Sequence, residues 1–313
     1  MRQKLLPWDY GVRNLLRNPW RTVLGTAGAA LVALLAVAAA AFVRGMDDGL
    51  RESAGPGNVI LLGAGSEESV ERSEIRPDIP GIAAASVAGI RERLGRRYVS
   101  PEVNVAVVVD VDGVPLQANF RGVTPEAFLV HPQVRIVEGR MAGASELLVG
   151  KLASARMGLP PERLAPGRTL VLDGHDWTVA GTFEAPGTVL ESELWCDMQE
   201  LRVATQRTTI SGVVLTLGPS ADPSDVALFT KQRLDLELEA MPESEYYAKL
   251  HEFYAPVRAM VWATAALVAA GTALGGLSTL YASFAARIRE LATLQALGFS
   301  RRAIVLGLVQ ESL

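Results

Sequence analysis

Residues 285–302 read AARIRELATLQALGFSRR and follow directly on a long uncharged run. Taken as a helix at about 100° per residue, Ile288, Leu291, Ala292 and Phe299 share one face, and Arg289, Glu290 and Thr293 the other. Leu297 points with the polar residues, where a helix lying in water would carry a charge. Two faces that each want a partner describe a helix held between its own membrane domain and a second body. Gly298 suits the position just past a helix end, where a left-handed backbone costs little. Ser300 can then cap a further helix starting at Arg301.

Working outward, two stretches are long enough to cross a bilayer. Residues 22–43 and 260–286 carry no charge, and at about 1.5 Å per residue each spans the roughly 30 Å hydrocarbon core. A cleavable signal peptide is the rival reading of the first, given the small residues at 38–41, but the apolar run is too long for one. In the second, Gly271 and Gly275 form a Gly-x-x-x-Gly step that lets another span approach closely. Residues 1–21 hold Arg2, Lys4, Arg13, Arg17 and Arg21 against Asp9, interleaved with Leu and Trp. This describes an amphipathic lead-in at the cytoplasmic membrane surface.

Charge sets the orientation. Residues 1–43 and 259–313 together hold nine basic and three acidic side chains, a balance of +6, whereas residues 44–258 balance at −10. Basic residues beside the spans stay in the cytoplasm, so both ends are expected inside and 44–258 outside. The exported segment is long enough for its own core. Asp112-Gly113 and Asp173-Gly174 each sit between β-rich runs and mark hairpins. Residues 151–157, 197–204 and 243–254 read as helices, as do 82–94, ending at Gly95, and 225–240. Irregular alternation of strands and helices gives an α+β domain.

The stretch at 287–302 resembles the coupling segment of the FtsX-like and MacB-like ABC transporter permeases, whose pattern is roughly Arg-x-Arg-Glu-(Ile/Leu)-x-x-Leu-x-Ala-(Leu/Val)-Gly-x-Ser-Arg-Arg. Arg287, Arg289, Glu290, Leu291, Leu294, Ala296, Leu297, Gly298, Ser300, Arg301 and Arg302 fit it in order; Ala292 and Gln295 depart from it. Residues 136–140 (IVEGR), 147–150 (LLVG), 179–183 (VAGTF) and 191–195 (ESELW) resemble stretches of the exported domain of such permeases, the MacB-like periplasmic core domain. The resemblance implies helical membrane spans carrying an α+β extracytoplasmic domain, in a bacterial inner-membrane protein. It implies a separate ATPase engaged through Arg287, Arg289, Glu290, Leu291, Leu294, Leu297, Gly298, Arg301 and Arg302. It also implies a second permease chain, and cargo in the form of a lipid, lipoprotein or amphiphile. Family members carry four spans, whereas residues 303–313 supply only the start of a third.

Few residues invite catalysis. Gly150-Lys151 is followed by Leu152 and lacks the upstream glycine of a phosphate-binding loop, so ATP hydrolysis is not expected of this chain. Cys196 stands alone, and His131, His175 and His251 are too scattered for a zinc site, so no metal or cofactor is expected. Glu191 and Glu193 read as acids sharing the solvated face of an edge strand, Arg96-Arg97 as a solvated helix end, and His175 as exposed in a hairpin. The acidic exported segment excludes a nucleic-acid partner. The competing reading is a membrane-anchored sensor or regulator with an exported binding domain and no ATPase.

Overall fold

The computed structural model describes residues 19–286, 288–298, 301 and 305. Residues 1–18 of the lead-in, Arg287, the Ser300 cap, Arg302 and the third-span residues other than Val305 lie outside the described residues. The chain divides into two compact units. One joins the residues up to Arg44 with those from Pro256 onward; the other is Gly45–Ala255.

In chain order, helix α1 (Pro19–Ser53) leads into β1 (Asn58–Gly63), α2 (Ile79–Ser86), β2 (Glu92–Arg93), β3 (Arg96–Arg97), β4 (Val99–Val111) and β5 (Val114–Val123). There follow α3 (Ala127–Val130), β6 (Arg135–Gly139), β7 (Glu146–Gly150), α4 (Ala153–Met157), β8 (Thr169–Leu172), β9 (His175–Glu184) and β10 (Leu194–Asp197). The domain finishes with α5 (Met198–Ala204), β11 (Gly212–Thr216), α6 (Pro223–Gln232), β12 (Leu238–Pro242) and α7 (Glu243–Phe253). Helices α8 (Ala255–Ala286) and α9 (Ile288–Ala296) close the described chain.

The strand pairings of the second unit close on themselves. β4 pairs β5, β5 pairs β10 in parallel, β10 pairs β7, β7 pairs β9 in parallel, β9 pairs β8, and β8 returns to β4 at Asp110–Val171. Inside this ring lie Val103, Val109, Phe120, Leu147, Leu170, Trp177, Val179 and Leu194, all buried in one cluster. Strand β9 shows why the sequence does this: Trp177, Val179, Gly181 and Phe183 alternate with more exposed neighbours, the period-2 pattern of a half-buried strand. The first half of β4 runs on beyond the ring and pairs β11, which continues through β1 to β12 at the far edge.

Local signals in the sequence act as written. Asp112-Gly113 and Asp173-Gly174 both take positive φ and turn two-residue hairpins. Asp197 caps α5, its Oδ1 accepting from the Gln199 and Glu200 amides at 2.8 and 3.1 Å. Three of the four family-like stretches fall on the strands β7, β9 and β6, and the fourth ends in β10, which pairs β7. Their glycines have a steric reason. A Cβ on Gly150 would stand 2.3 Å from the Glu191 carbonyl oxygen, and one on Gly181 2.5 Å from that of Glu138.

Three readings are corrected. The helix over 82–94 stops at Ser86, and Leu94-Gly95, both at positive φ, turn the β2–β3 hairpin, so Arg96 and Arg97 lie on a strand. The helix over 225–240 stops at Gln232, a 3-10 turn takes Leu234–Leu236, and β12 begins at Leu238, with Leu238 and Ala240 buried and Glu239 partly exposed between them. Glu191 and Glu193 are both buried rather than solvated.

Candidate functional site

Three regions bear on function: the two candidate spans, the segment after them, and a buried polar cluster within the unit Gly45–Ala255. Thr26–Ser53 within α1 and Ala255–Ser278 within α8 are long and apolar enough to cross a membrane. Leu31, Leu34 and Val37 of the first and Leu267, Leu274 and Leu277 of the second are exposed large apolar side chains. A Cβ added at Gly271 or Gly275 would meet nothing within 4 Å.

Helix α9 holds Arg289, Glu290, Leu291 and Leu294 on its backbone, and Ile288, Arg289 and Leu297 are exposed. The helix ends where the sequence places the end. Leu297 donates to the Thr293 carbonyl at 3.0 Å, Gly298 donates to that of Gln295 at 3.1 Å, and Gly298 takes φ 90°. Arg301 is exposed.

The exported domain holds a buried polar cluster with no sequence signature. Its source is the even-numbered face of β4. Odd residues such as Val103 and Val109 fill the ring, so Glu102 and Asn104 face outward, opposite Arg121 on β5. This outward face is covered. Arg121 forks onto Glu193, with Nε to Oε2 at 2.7 Å and Nη2 to Oε1 at 2.8 Å, and its Nη1 donates to Glu102. His131 Nε2 lies 2.8 Å from the other Glu102 oxygen, Oε1. Trp195 Nε1 donates to Glu193 at 2.9 Å, and its ring stacks edge-on against Phe128 and His131.

Glu243, the first residue of α7, extends the cluster to the roots of both membrane-leading helices. Its Oε2 accepts from the Gly55 amide at 2.7 Å, just past α1, and from Asn58 Nδ2 at 2.9 Å on β1. Further along, His251 of α7 meets Asp47 of α1 at 2.9 Å, and Ser53 Oγ, at the end of α1, accepts from the Val189 amide at 2.8 Å. The end of α1 and the start of α7 are thus joined to each other and to the domain core by polar contacts across 188 residues of chain.

Electrostatics follow from burial and pairing. Burial pushes the Glu102 carboxyl up, but Arg121 and His131 outweigh it and hold it at about 2, below its ordinary 4.5. Burial pulls His131 down, yet Glu102 and Glu243 leave it raised above its ordinary 6.5. Burial raises Glu243 against the opposing pull of His131, the Gly55 amide and Asn58. Glu102, depressed in the fold, contributes stability above pH 4.5 that is lost as pH falls towards 2. His131, raised in the fold, contributes below pH 6.5 and its share is lost as pH climbs through its raised value. Denaturation midpoints measured across pH should therefore drop along an acid limb between 4.5 and 2, and Glu102→Gln should flatten that limb. An acid limb identical in the two proteins would show that the pairing is not made in solution.

Against this cluster lies a cavity of about 620 Å³. Asn104, Asn119 and Arg121 line it, as do Leu50, Val70, Val189 and Leu250. Sequence reading finds none of this, because the partners stand up to 188 residues apart and each charge alone reads as surface.

The profile of the MacB-like periplasmic core domain matches residues 22–228. The chain belongs to that family. No curated protein matches it significantly. Solved structures similar to it include the periplasmic region of MacB from Actinobacillus actinomycetemcomitans, 12% identical, covering 62% of this chain and 92% of that one at a TM-score of 0.46. Another is the extracellular domain of the noncanonic ABC-type transporter YknZ from Gram-positive bacteria, 14% identical, covering 59% of this chain and 99% of that one at a TM-score of 0.45. The MacB-like core domain here is the α+β extracellular domain of a MacB/FtsX-type ABC transporter permease, associated with the membrane and flanked by two candidate spans.

Proposed function

We propose that this MacB-like chain is the permease subunit of an ABC transporter and relays the ATP-driven motion of a separate ATPase to its exported domain, which moves a lipid, lipoprotein or amphiphile. It does no nucleotide chemistry itself. It sits in the bacterial inner membrane as a multi-pass protein with residues 44–258 outside, beside a second permease chain approached through Gly271 and Gly275. The ATPase docks on the segment 287–302, with Leu297 as an apolar knob and Arg289 and Glu290 setting its orientation.

The observation that carries the reading is the Glu243 tie. A relay needs the membrane-leading helices to move the domain rather than bend freely beneath it. Glu243 and Ser53 fasten the root of each helix to buried backbone and side chains. Purified from its own membranes, the chain should retain an ATPase bearing the G-x-x-x-x-G-K-[ST] sequence that it lacks itself. Purification free of any such ATPase would favour the sensor reading instead.

A further inference from the structure

We propose that the buried cluster is a proton-held latch: it fastens the start of α7 to the end of α1 while the His131–Glu243 pair keeps a proton, and releases it as the pH outside the membrane rises. The proposal deepens the reading of Glu243 as the tie that relays motion, and its consequence for transport rests on that reading. The release itself belongs to the unit Gly45–Ala255.

The cluster is short of positive charge. Glu102, Glu193 and Glu243 share Arg121 and His131, and all five are buried. Three carboxylates against two bases leave −1 with every group ionised, and −2 once His131 is neutral. Buried charge without a counter-charge is costly, so such a cluster keeps the protons that bring it towards neutrality. Geometry places the shortfall on Glu243. Glu102 bonds Arg121 and His131, and Glu193 bonds Arg121 and the Trp195 indole. Glu243 bonds the Gly55 amide and Asn58, and it is the one carboxylate of the three with no base in contact among the described residues. His131 is only half held: Nε2 meets Glu102, while Nδ1 is buried with no hydrogen-bond partner among the described residues. The charged groups facing it are Glu102 from β4, Arg121 from β5 and Glu243 from α7. Glu193 and Tyr247 act on Arg121 behind them, and burial and Glu243 drive the Tyr247 phenol up, so it stays neutral. Arg121, Glu193 and Glu243 also line the cavity, which gives protons a way in.

The direction follows. Lifting Glu243 off Gly55 puts its carboxyl in water, where it returns to its ordinary 4.5 and is ionised at neutral pH. The closed form tolerates that ionised carboxylate while His131 is charged, or a neutral His131 while Glu243 is protonated; the two titrate as a pair. Closure therefore holds a proton that the open form gives up. Both groups are raised in the closed form, His131 above 6.5, so release falls above pH 6.5 and closure weakens there by about tenfold per pH unit.

The test is amide exchange of the whole chain in lipid nanodiscs, read by mass spectrometry from about pH 6 to about pH 9 and corrected for the base-catalysed rate of an unstructured peptide. Peptides holding Gly55 should lose protection by about tenfold or more across that range, while peptides from β9 keep theirs. The two variants should move in opposite directions. Glu243→Gln keeps an acceptor and carries no charge, so Gly55 should stay protected throughout. His131→Gln removes the balancing charge, so release should begin at lower pH. Should His131→Gln fail to fold, Glu243→Gln decides alone. Protection at Gly55 that does not change with pH, an equal loss in β9, or a pH-dependent loss that persists in Glu243→Gln would overturn the latch. Exchange does not involve the ATPase. Unchanging protection with ATPase binding intact refutes the latch alone, and release at Gly55 in a chain that binds no ATPase refutes the relay alone.

Discussion

Arg121→Met should destabilise the exported domain by about 3–5 kcal/mol, the cost typical of removing one partner from a buried ion pair. Methionine keeps most of the stem volume, so packing changes little and the loss reports on charge. Without the guanidinium, the side-chain partners left among the described residues are His131 and Ser100 for Glu102 and the Trp195 indole for Glu193. Two carboxylates are then left in a site from which water is largely excluded. Adding Glu193→Gln and Glu102→Gln to the same chain should recover much of the loss, because neutral amides tolerate burial better than unpaired charges. Urea denaturation followed by tryptophan fluorescence reads this directly. A change below about 1 kcal/mol would mean the cluster is hydrated and contributes as a surface pair does.

Glu243→Leu should have a different signature. Burial raises the Glu243 carboxyl, so this charge is not placed there for stability. Its removal strands the Gly55 amide and leaves Asn58 Nδ2 only the Val130 carbonyl, at a cost of about 1–3 kcal/mol for the orphaned donor. Glu243→Gln retains an acceptor oxygen and should cost less. The informative readout is amide exchange at Gly55 and Asn58 together with ATPase stimulation. The leucine variant should exchange faster at Gly55 and lose stimulation while still binding the ATPase; the glutamine variant should keep both. Full stimulation in Glu243→Leu would show that the tie does not carry the motion.

How far the sequence discloses these features depends on whether their cause is local. Asp112-Gly113 and Asp173-Gly174 announce their hairpins because both residues tolerate positive φ; Leu94-Gly95 makes the same turn, but a leucine at φ 53° gives no warning. The stretch Leu234, Leu236, Leu238, Ala240 alternates like a strand, yet its Glu and Leu residues favour helix and mask the period. Pairing with β1 makes a strand from Leu238 onward, while Leu234–Leu236 form a 3-10 turn. The family-like stretches are legible one by one, and their assembly into adjacent strands is not. The buried cluster is the least legible. Glu102, Arg121, His131, Glu193 and Glu243 are ordinary surface residues by type, and only the covering of the β4–β5 face makes them a network.

The relay itself is tested most directly at Leu297, an exposed leucine beside the Gly298 turn. The measurement is ATPase retention and stimulation by the membrane-embedded chain, compared between wild type and Leu297→Asp. A charge in place of the apolar knob should abolish both, while tryptophan fluorescence and denaturation of the exported domain remain those of wild type. Retention and stimulation equal to wild type in Leu297→Asp would contradict the account, because the face would then be merely solvated and no ATPase would be docked there.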